Sequence, residues 1–301
     1  MDLTPILYEK FTDLGAASAK LKDFLDESAA MWFQPFDTSL SKVDTTKILF
    51  GTIFPYVGAF TNSQCLNKDP LFDLWHDVTS SISWNIPTDQ LFPLVDLWRM
   101  ALLDSKVSSW CADRNGLDSP VGLLLSKACK WSSEKYLLTL LRMLINAFRY
   151  RALGWKVLLS LQNNLAILLE HTLIHEDSRI RSGASGLAFN MFACLQELRE
   201  ENLQKGDDEE ADHLEMELSL TVLNSNWEAS ILSSVLAAIQ REDDGDIGIF
   251  LVRLVRVRDC LTCLFLLQPT GKSQHLDLSC DTPRSLTICC GFLESCMLDA
   301  S

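Results

Sequence analysis

Residues 132–148 read SSEKYLLTLLRMLINAF, and this stretch decides the fold class. Ser132, Ser133 and Glu134 have the chemistry of a helix start, in which hydroxyls accept from the first free N–H groups and an acid follows in the first turn. Behind them Leu137, Leu138, Leu141, Leu144, Ile145 and Phe148 recur at three- and four-residue spacing, which is one apolar face of an α-helix. The same pattern continues on both sides. Towards the C-terminus, residues 154–175 and 178–199 each read as a long helix. The second carries Gly183, Ala184, Ser185 and Gly186 near its start, small residues that let a neighbouring helix approach closely. Towards the N-terminus, residues 88–93 (TDQLFP) open a helix with capping residues and an early proline, and Leu91, Leu94, Val95, Trp98, Ala101 and Leu102 form its stripe. A loop over 113–120 precedes a short helix at 121–130.

Farther out the signals are of the same kind. Residues 3–30 read as one or two amphipathic helices built on Leu14, Ala17, Leu21, Phe24 and Leu25, ended by WFQP at 32–35. Residues 45–60 read as a helix kinked at Pro55, and Phe72, Trp75, His76 and Val78 mark a short helix before SWNIP at 83–87. Helical patterns at 215–223, 229–240, 247–267 and 287–298 complete the chain. No stretch alternates with the period of two that a strand needs. Thirteen Gly and nine Pro in 301 residues are few for a turn-rich β protein. The reading is all-α: one domain over 1–301, in which degenerate helix pairs stack as an armadillo-like superhelix. Residues 1–37 are its helical lead and 200–212 an acidic loop.

Hydrophobic residues make up 48% and charged residues 22% of the chain, the proportions of a folded protein. The longest strongly apolar run, CLTCLFLL at 260–267, is far short of the roughly 20 residues a membrane-spanning helix needs. The start, MDLTPILYEK, lacks a basic and then apolar leader. The expectation from both features is an intracellular protein, in which the ten cysteines are buried thiols rather than disulfides. A net charge of −14 argues against nucleic acid as a partner. The acid is unevenly spread. Residues 200–217 hold nine acids and one lysine, whereas residues 142–181 hold six basic residues and three acidic ones. Local reversal of sign suits a face for an acidic partner.

No specific catalytic constellation is present: the phosphate-binding, dinucleotide-binding, nucleophile-elbow and zinc-protease motifs are all missing. His171 and His175 lie four apart, on one helix face, without a third ligand. Cys260 and Cys263, with His275, Cys280, Cys289, Cys290 and Cys296 downstream, sit in apolar helix rather than in the tight turns of a zinc knuckle. The expectation is therefore no enzyme, no metal and no cofactor.

Three blocks in order resemble one family. NIPTDQLFPLVDLWRMALL (85–103) resembles its "lfPalDLlR" block after a tryptophan–proline break. WSSEKYLLTLLRMLINAFRYRALGWKVLL (131–159) resembles "N-x-LL-x-LR-x-x-x-N-x-F" followed by a glycine and a basic helix. SRIRSGASGLAFNMF (178–192) resembles "i-x-iAlatLlLNy". Together they are similar to the PUL domain of the phospholipase A-2-activating protein family. The resemblance implies an armadillo-like superhelix whose groove binds the acidic, tyrosine-containing C-terminal tail of the hexameric AAA segregase (valosin-containing protein), in the handling of ubiquitylated proteins. The chain departs from the pattern where Lys135 replaces an asparagine, and where Val252, Arg253 and Arg258 disturb a C-terminal basic helix. It has no WD dipeptide and no room for the propeller or ubiquitin-binding module of longer members.

On this reading Arg99, Arg142, Arg149, Arg151, Lys156 and Arg181 supply a basic groove, with Asn146 orienting a backbone. Arg99 is expected at the edge of its helix, stem packed and guanidinium in solvent. The alternative is a helical-repeat scaffold for a different protein partner. One shared groove for the arginines favours the first reading, and dispersal favours the second.

Overall fold

The computed structural model describes residues 5–9, 13–28, 40–58, 69–114, 116–128, 132–204, 225–242 and 247. They belong to a compact unit over 1–261, whereas a second unit, 262–301, lies outside the described residues. So do the acidic residues 205–212, the helical patterns expected at 215–223 and 287–298, and Cys260, Cys263, His275, Cys280, Cys289, Cys290 and Cys296.

Helix starts follow the side chains that cap them. Asp13 accepts from Gly15 N and Ala16 N to open α1 (Leu14–Glu27). Ser41 caps α2 (Lys42–Ile48), which runs through a π-turn (Leu49–Ile53) into α3 (Phe54–Gly58). Pro55 is the reason for the π-turn. It has no N–H to give and would press on the carbonyl four residues back, so the widened register ahead of it accommodates the ring and the helix carries on. The expected kink is realised as this register change.

α4 (Asp69–Asn85) is longer than the markers Phe72, Trp75, His76 and Val78 implied. A 3₁₀ turn (Thr88–Gln90) leads to α5 (Phe92–Ala101), with Pro93 in its first turn. Thr88 and Asp89 do not cap α5, whose N-cap is Leu91; Asp89 instead accepts from Ser133 N at 3.2 Å. The chain breaks after Ala101, where Asp104 accepts from Lys106 N and Val107 N and starts α6 (Ser105–Ala112). A 3₁₀ turn (Gly116–Asp118) and α7 (Pro120–Ser126), capped by Ser119, follow. Gly116 has φ +47, and its carbonyl would lie 2.1 Å from a Cβ on Gly122, so both positions require glycine.

Ser133 caps α8 (Glu134–Ala147), as its sequence indicates. α9 (Arg151–Thr172), α10 (Ser178–Gln204) and α11 (Ser225–Ile239) complete the described elements. α10 continues through residues 200–204, so the first part of the expected acidic loop is helical.

Among the described residues there is no strand, and the helices form two rows. In one row α1 packs on α5, α5 on α8 and α8 on α10. In the other, α4 packs on α6 and α7, both of these on α9, and α9 on α11. The core lies between the rows. This is the armadillo-like arrangement, in which each helix pair buries its apolar face only against its neighbours. Trp75 and Trp98 stack at 4.2 Å, and Trp98 Nε1 donates to Thr79 Oγ1 at 2.8 Å, which satisfies the one polar atom the indole buries. Trp227 Nε1 donates to Gln162 O at 2.6 Å and joins α11 to α9. The small residues of α10 meet α8: a Cβ on Gly183 would lie 3.4 Å from Leu141, and one on Gly186 3.4 Å from Ile145.

Among the described residues one helix, α9, is long and apolar enough to cross a membrane. Leu153, Val157, Leu158, Leu161, Leu165, Leu168 and Leu169 are buried in this helix, which packs on α10 as well as on α6, α7 and α11.

Candidate functional site

Residues 5–9 (PILYE) are not the beginning of a helical lead. They form no helix, and the first helix among the described residues starts only at Leu14. The reason lies in other parts of the chain. Asn190 of α10 takes both main-chain groups of Ile6: its Oδ1 accepts from Ile6 N at 2.9 Å and its Nδ2 donates to Ile6 O at 2.9 Å. Asn146 of α8 does the same for Tyr8, with Oδ1 accepting from the N–H at 2.8 Å and Nδ2 donating to the carbonyl at 3.2 Å. An extended chain turns the main-chain groups of alternate residues the same way. Two asparagines on neighbouring helices therefore read positions 6 and 8 as rungs of a ladder. Both amides are buried, at 0% and 1% exposure, and each has a further acceptor: Arg99 O at 2.9 Å for Asn146, Ile145 O at 3.3 Å for Asn190.

Three arginines complete the strip. Arg99, in the last turn of α5, donates from Nη1 to Tyr8 O at 2.7 Å and from Nε to Asp96 Oδ1 at 2.6 Å. It is 4% exposed, so the expectation of a guanidinium in solvent is wrong. Asp96, one turn earlier on α5, holds the charge inside. Arg142 lies one turn before Asn146 on the same face of α8, with its guanidinium 5.2 Å from the Tyr8 ring centroid. Its Nε is buried and has no hydrogen-bond partner among the described residues. Arg149, just past α8, forms an ion pair with Glu9. Partial burial works against its charge, but the Glu9 carboxylate and Tyr150 hydroxyl outweigh it and raise the Arg149 pKa.

The other basic residues stand apart. Arg151 opens α9 and is exposed, and Lys156 is half-buried in the next turn. Arg181 is bound elsewhere: it pairs with Glu242 through bonds of 2.7 and 2.8 Å and donates to His175 O and Glu176 O. It ties the start of α10 to the end of α11. The strip thus unites Arg99, Arg142, Asn146 and Arg149, and the structure adds Asn190, Asp96, Ile6, Tyr8 and Glu9. Asn190 had a signal in the sequence. An apolar residue followed by Asn-x-Phe occurs at 145–148 and again at 189–192, one helix pair later.

The histidine pair does not share a helix face. α9 ends at Thr172, and His175 lies beyond it, accepting from Asp177 N at 3.0 Å through Nδ1. Among the described residues no cluster of His, Cys, Asp and Glu could hold a metal. Cys111 and Cys194 are free and buried. Burial, with Glu197 nearby, pushes the Cys194 thiol up to about 12, and burial likewise raises Cys111.

The all-helical fold agrees with the comparison to known families. The PUL domain model matches residues 3–249. The chain belongs to the PUL domain family. That match covers every element of both rows and also takes in residues 5–9, so the extended segment lies within the domain. A PUL domain is a protein-interaction domain. No curated protein matches the chain.

Proposed function

We propose that this PUL domain docks the acidic, tyrosine-containing C-terminal tail of the hexameric AAA segregase (valosin-containing protein), as an adaptor in ubiquitin-dependent protein handling in the cytoplasm and nucleus. It works by binding and carries no catalytic step. One observation supports the reading above others. Arg99, Arg142, Asn146 and Arg149 form a single strip that already holds an extended segment containing a tyrosine followed by a glutamate.

Each contact has a counterpart in an acidic tail. Asn146 and Asn190 bind main chain, so they accept any extended segment. The Arg142 guanidinium lies over an aromatic ring, and its unpartnered Nε can donate to a carboxylate. Arg149, which pairs with Glu9, can pair with a tail carboxylate in its place, and Arg151 and Lys156 add positive charge at the start of α9. Charge-assisted contacts at a partly wet site give affinity that falls as salt rises, since screening acts over about 8 Å at physiological ionic strength.

The test is calorimetric titration of the full chain with the tail peptide. Binding is expected, weakening with salt, and Arg142→Ala is expected to reduce it at least about tenfold, as loss of a charge-assisted bond does. Lys47→Ala, on the exposed side of α2, is the control and leaves affinity unchanged. Absence of binding, or binding indifferent to Arg142→Ala in a folded protein, contradicts the proposal.

A further inference from the structure

We propose that residues 5–9 are a releasable intramolecular ligand of the groove, which an acidic, tyrosine-bearing peptide must displace in order to bind. The identity of that peptide rests on the function proposed above; the self-occupied groove does not.

The strip treats residues 5–9 as a ligand rather than as core. Asn146 and Asn190 engage main-chain N–H and C=O groups at alternate residues and are indifferent to the side chains there. Side chains are read by Arg142 at the Tyr8 ring and by Arg149 at Glu9, the chemistry the proposed tail presents, and by the core surface on which Ile6 and Tyr8 pack. Every residue from Pro5 to Tyr8 is only half-buried and Glu9 is exposed, whereas the helix residues beneath, such as Leu141, Leu144 and Ile145, are at 0% exposure. The segment makes no regular structure of its own, and Ile6 lies over Gly186, where the groove floor has no side chain. It can leave without opening the core between the helix rows.

What the groove loses on release explains why it is occupied. With the segment gone, the amides of Asn146 and Asn190 each lose a donor and an acceptor, and water or another main chain takes their place. A main chain supplied in trans can restore all four bonds at once. A tethered segment competes at high effective concentration, so even modest contacts hold it in place. The apparent dissociation constant of an incoming peptide rises in proportion to the inverse of the open fraction. The segment thus sets a threshold that a weak acidic stretch does not pass.

The experiment uses the full chain and fluorescence anisotropy with two labelled peptides, the tail peptide and one of residues 1–12 (MDLTPILYEKFT). Ile6→Pro removes the N–H that Asn190 accepts, and Glu9→Lys turns the Arg149 pair into a repulsion; neither alters a groove side chain. The double variant is expected to bind the tail about tenfold more tightly than the native chain, in line with a larger open fraction. It should also bind the 1–12 peptide, which the native chain does not, and unlabelled tail should compete that peptide off. Glu9→Lys alone changes an exposed residue and serves if the double variant fails to fold; an increase of about threefold is expected for it. A folded variant that binds the tail no better than the native chain, or that fails to bind the 1–12 peptide, overturns the proposal. Binding of the 1–12 peptide with no tail binding to either protein leaves the intramolecular ligand standing and defeats the segregase as partner.

Discussion

Arg99→Ala tests the construction of the strip through folding rather than binding. The Arg99 and Asp96 side chains are 5% and 14% exposed and meet at 2.6 Å. Removing the arginine leaves the Asp96 carboxylate without its cation and removes one of the two donors to Tyr8 O, the other being Asn146 Nδ2 at 3.2 Å. Breaking a fully buried pair from one side costs about 3–5 kcal/mol. Asp96 keeps some contact with water and Tyr8 O keeps a donor, so a loss of about 2–4 kcal/mol is expected. For a domain of this size that is a fall in melting temperature of about 5–12 °C. Urea unfolding should show a lower midpoint with an unchanged slope. Asp96→Asn added to Arg99→Ala should recover at least about 1 kcal/mol, because removing both charges is cheaper than stranding one. A cost below about 0.5 kcal/mol, the range of an ordinary surface change, or strict additivity in the double variant refutes the buried-pair reasoning.

Three further outcomes follow from the same geometry. Asn190→Ala should lower stability by about 1–3 kcal/mol in urea unfolding, because Ile6 loses both of its main-chain partners. Asp177 accepts from Arg179 N at 2.8 Å at the start of α10, and Asp177→Ala should cost about 1 kcal/mol, as other lost helix caps do. Bonds from Arg179, opposed by some burial, hold the Asp177 pKa down to about 2 from 3.8. A depressed carboxylate stabilises the fold above its unfolded pKa, so this contribution is present above pH 3.8 and fades as pH falls through about 2, and Asp177→Ala should flatten the acid limb of stability against pH. Cys111 and Cys194, buried with raised thiol pKa values, should resist alkylation at neutral pH in the native chain when followed site by site by mass spectrometry.

The parts of the fold set by local chemistry were legible in the sequence. The leucine stripe of α8, its Ser133 cap and the small residues of α10 each predict what the structure contains, because a cap acts within three residues and an apolar stripe needs only a neighbour to bury it. What escaped was decided at a distance. Residues 5–9 are held out of a helix where Asn146 and Asn190, 138 and 184 residues away in the chain, satisfy the main chain of Tyr8 and Ile6. Arg181 belongs to Glu242, 61 residues on, so its charge could not be assigned to the groove or away from it by spacing. Arg99 was misread for a nearer reason: Asp96 was in plain view at i−3, but an acid three residues before an arginine on a helix usually marks an exposed pair. The basic bias of residues 142–181 was real, yet it divides between the strip, the flank of α9 and the clamp on α11.

The central claim is that an acidic tail enters where residues 5–9 now lie. Nitrogen-15 correlation spectra of the full chain, titrated with the tail peptide, test it most directly. The account predicts that the largest shifts fall on the side-chain amides of Asn146 and Asn190 and on the main-chain amides of Ile6 and Tyr8, which move together as the segment is exchanged for the peptide. Saturating peptide that leaves these four signals in place, while signals move at another face such as exposed Trp84 with Lys127 stacked on it, would contradict it.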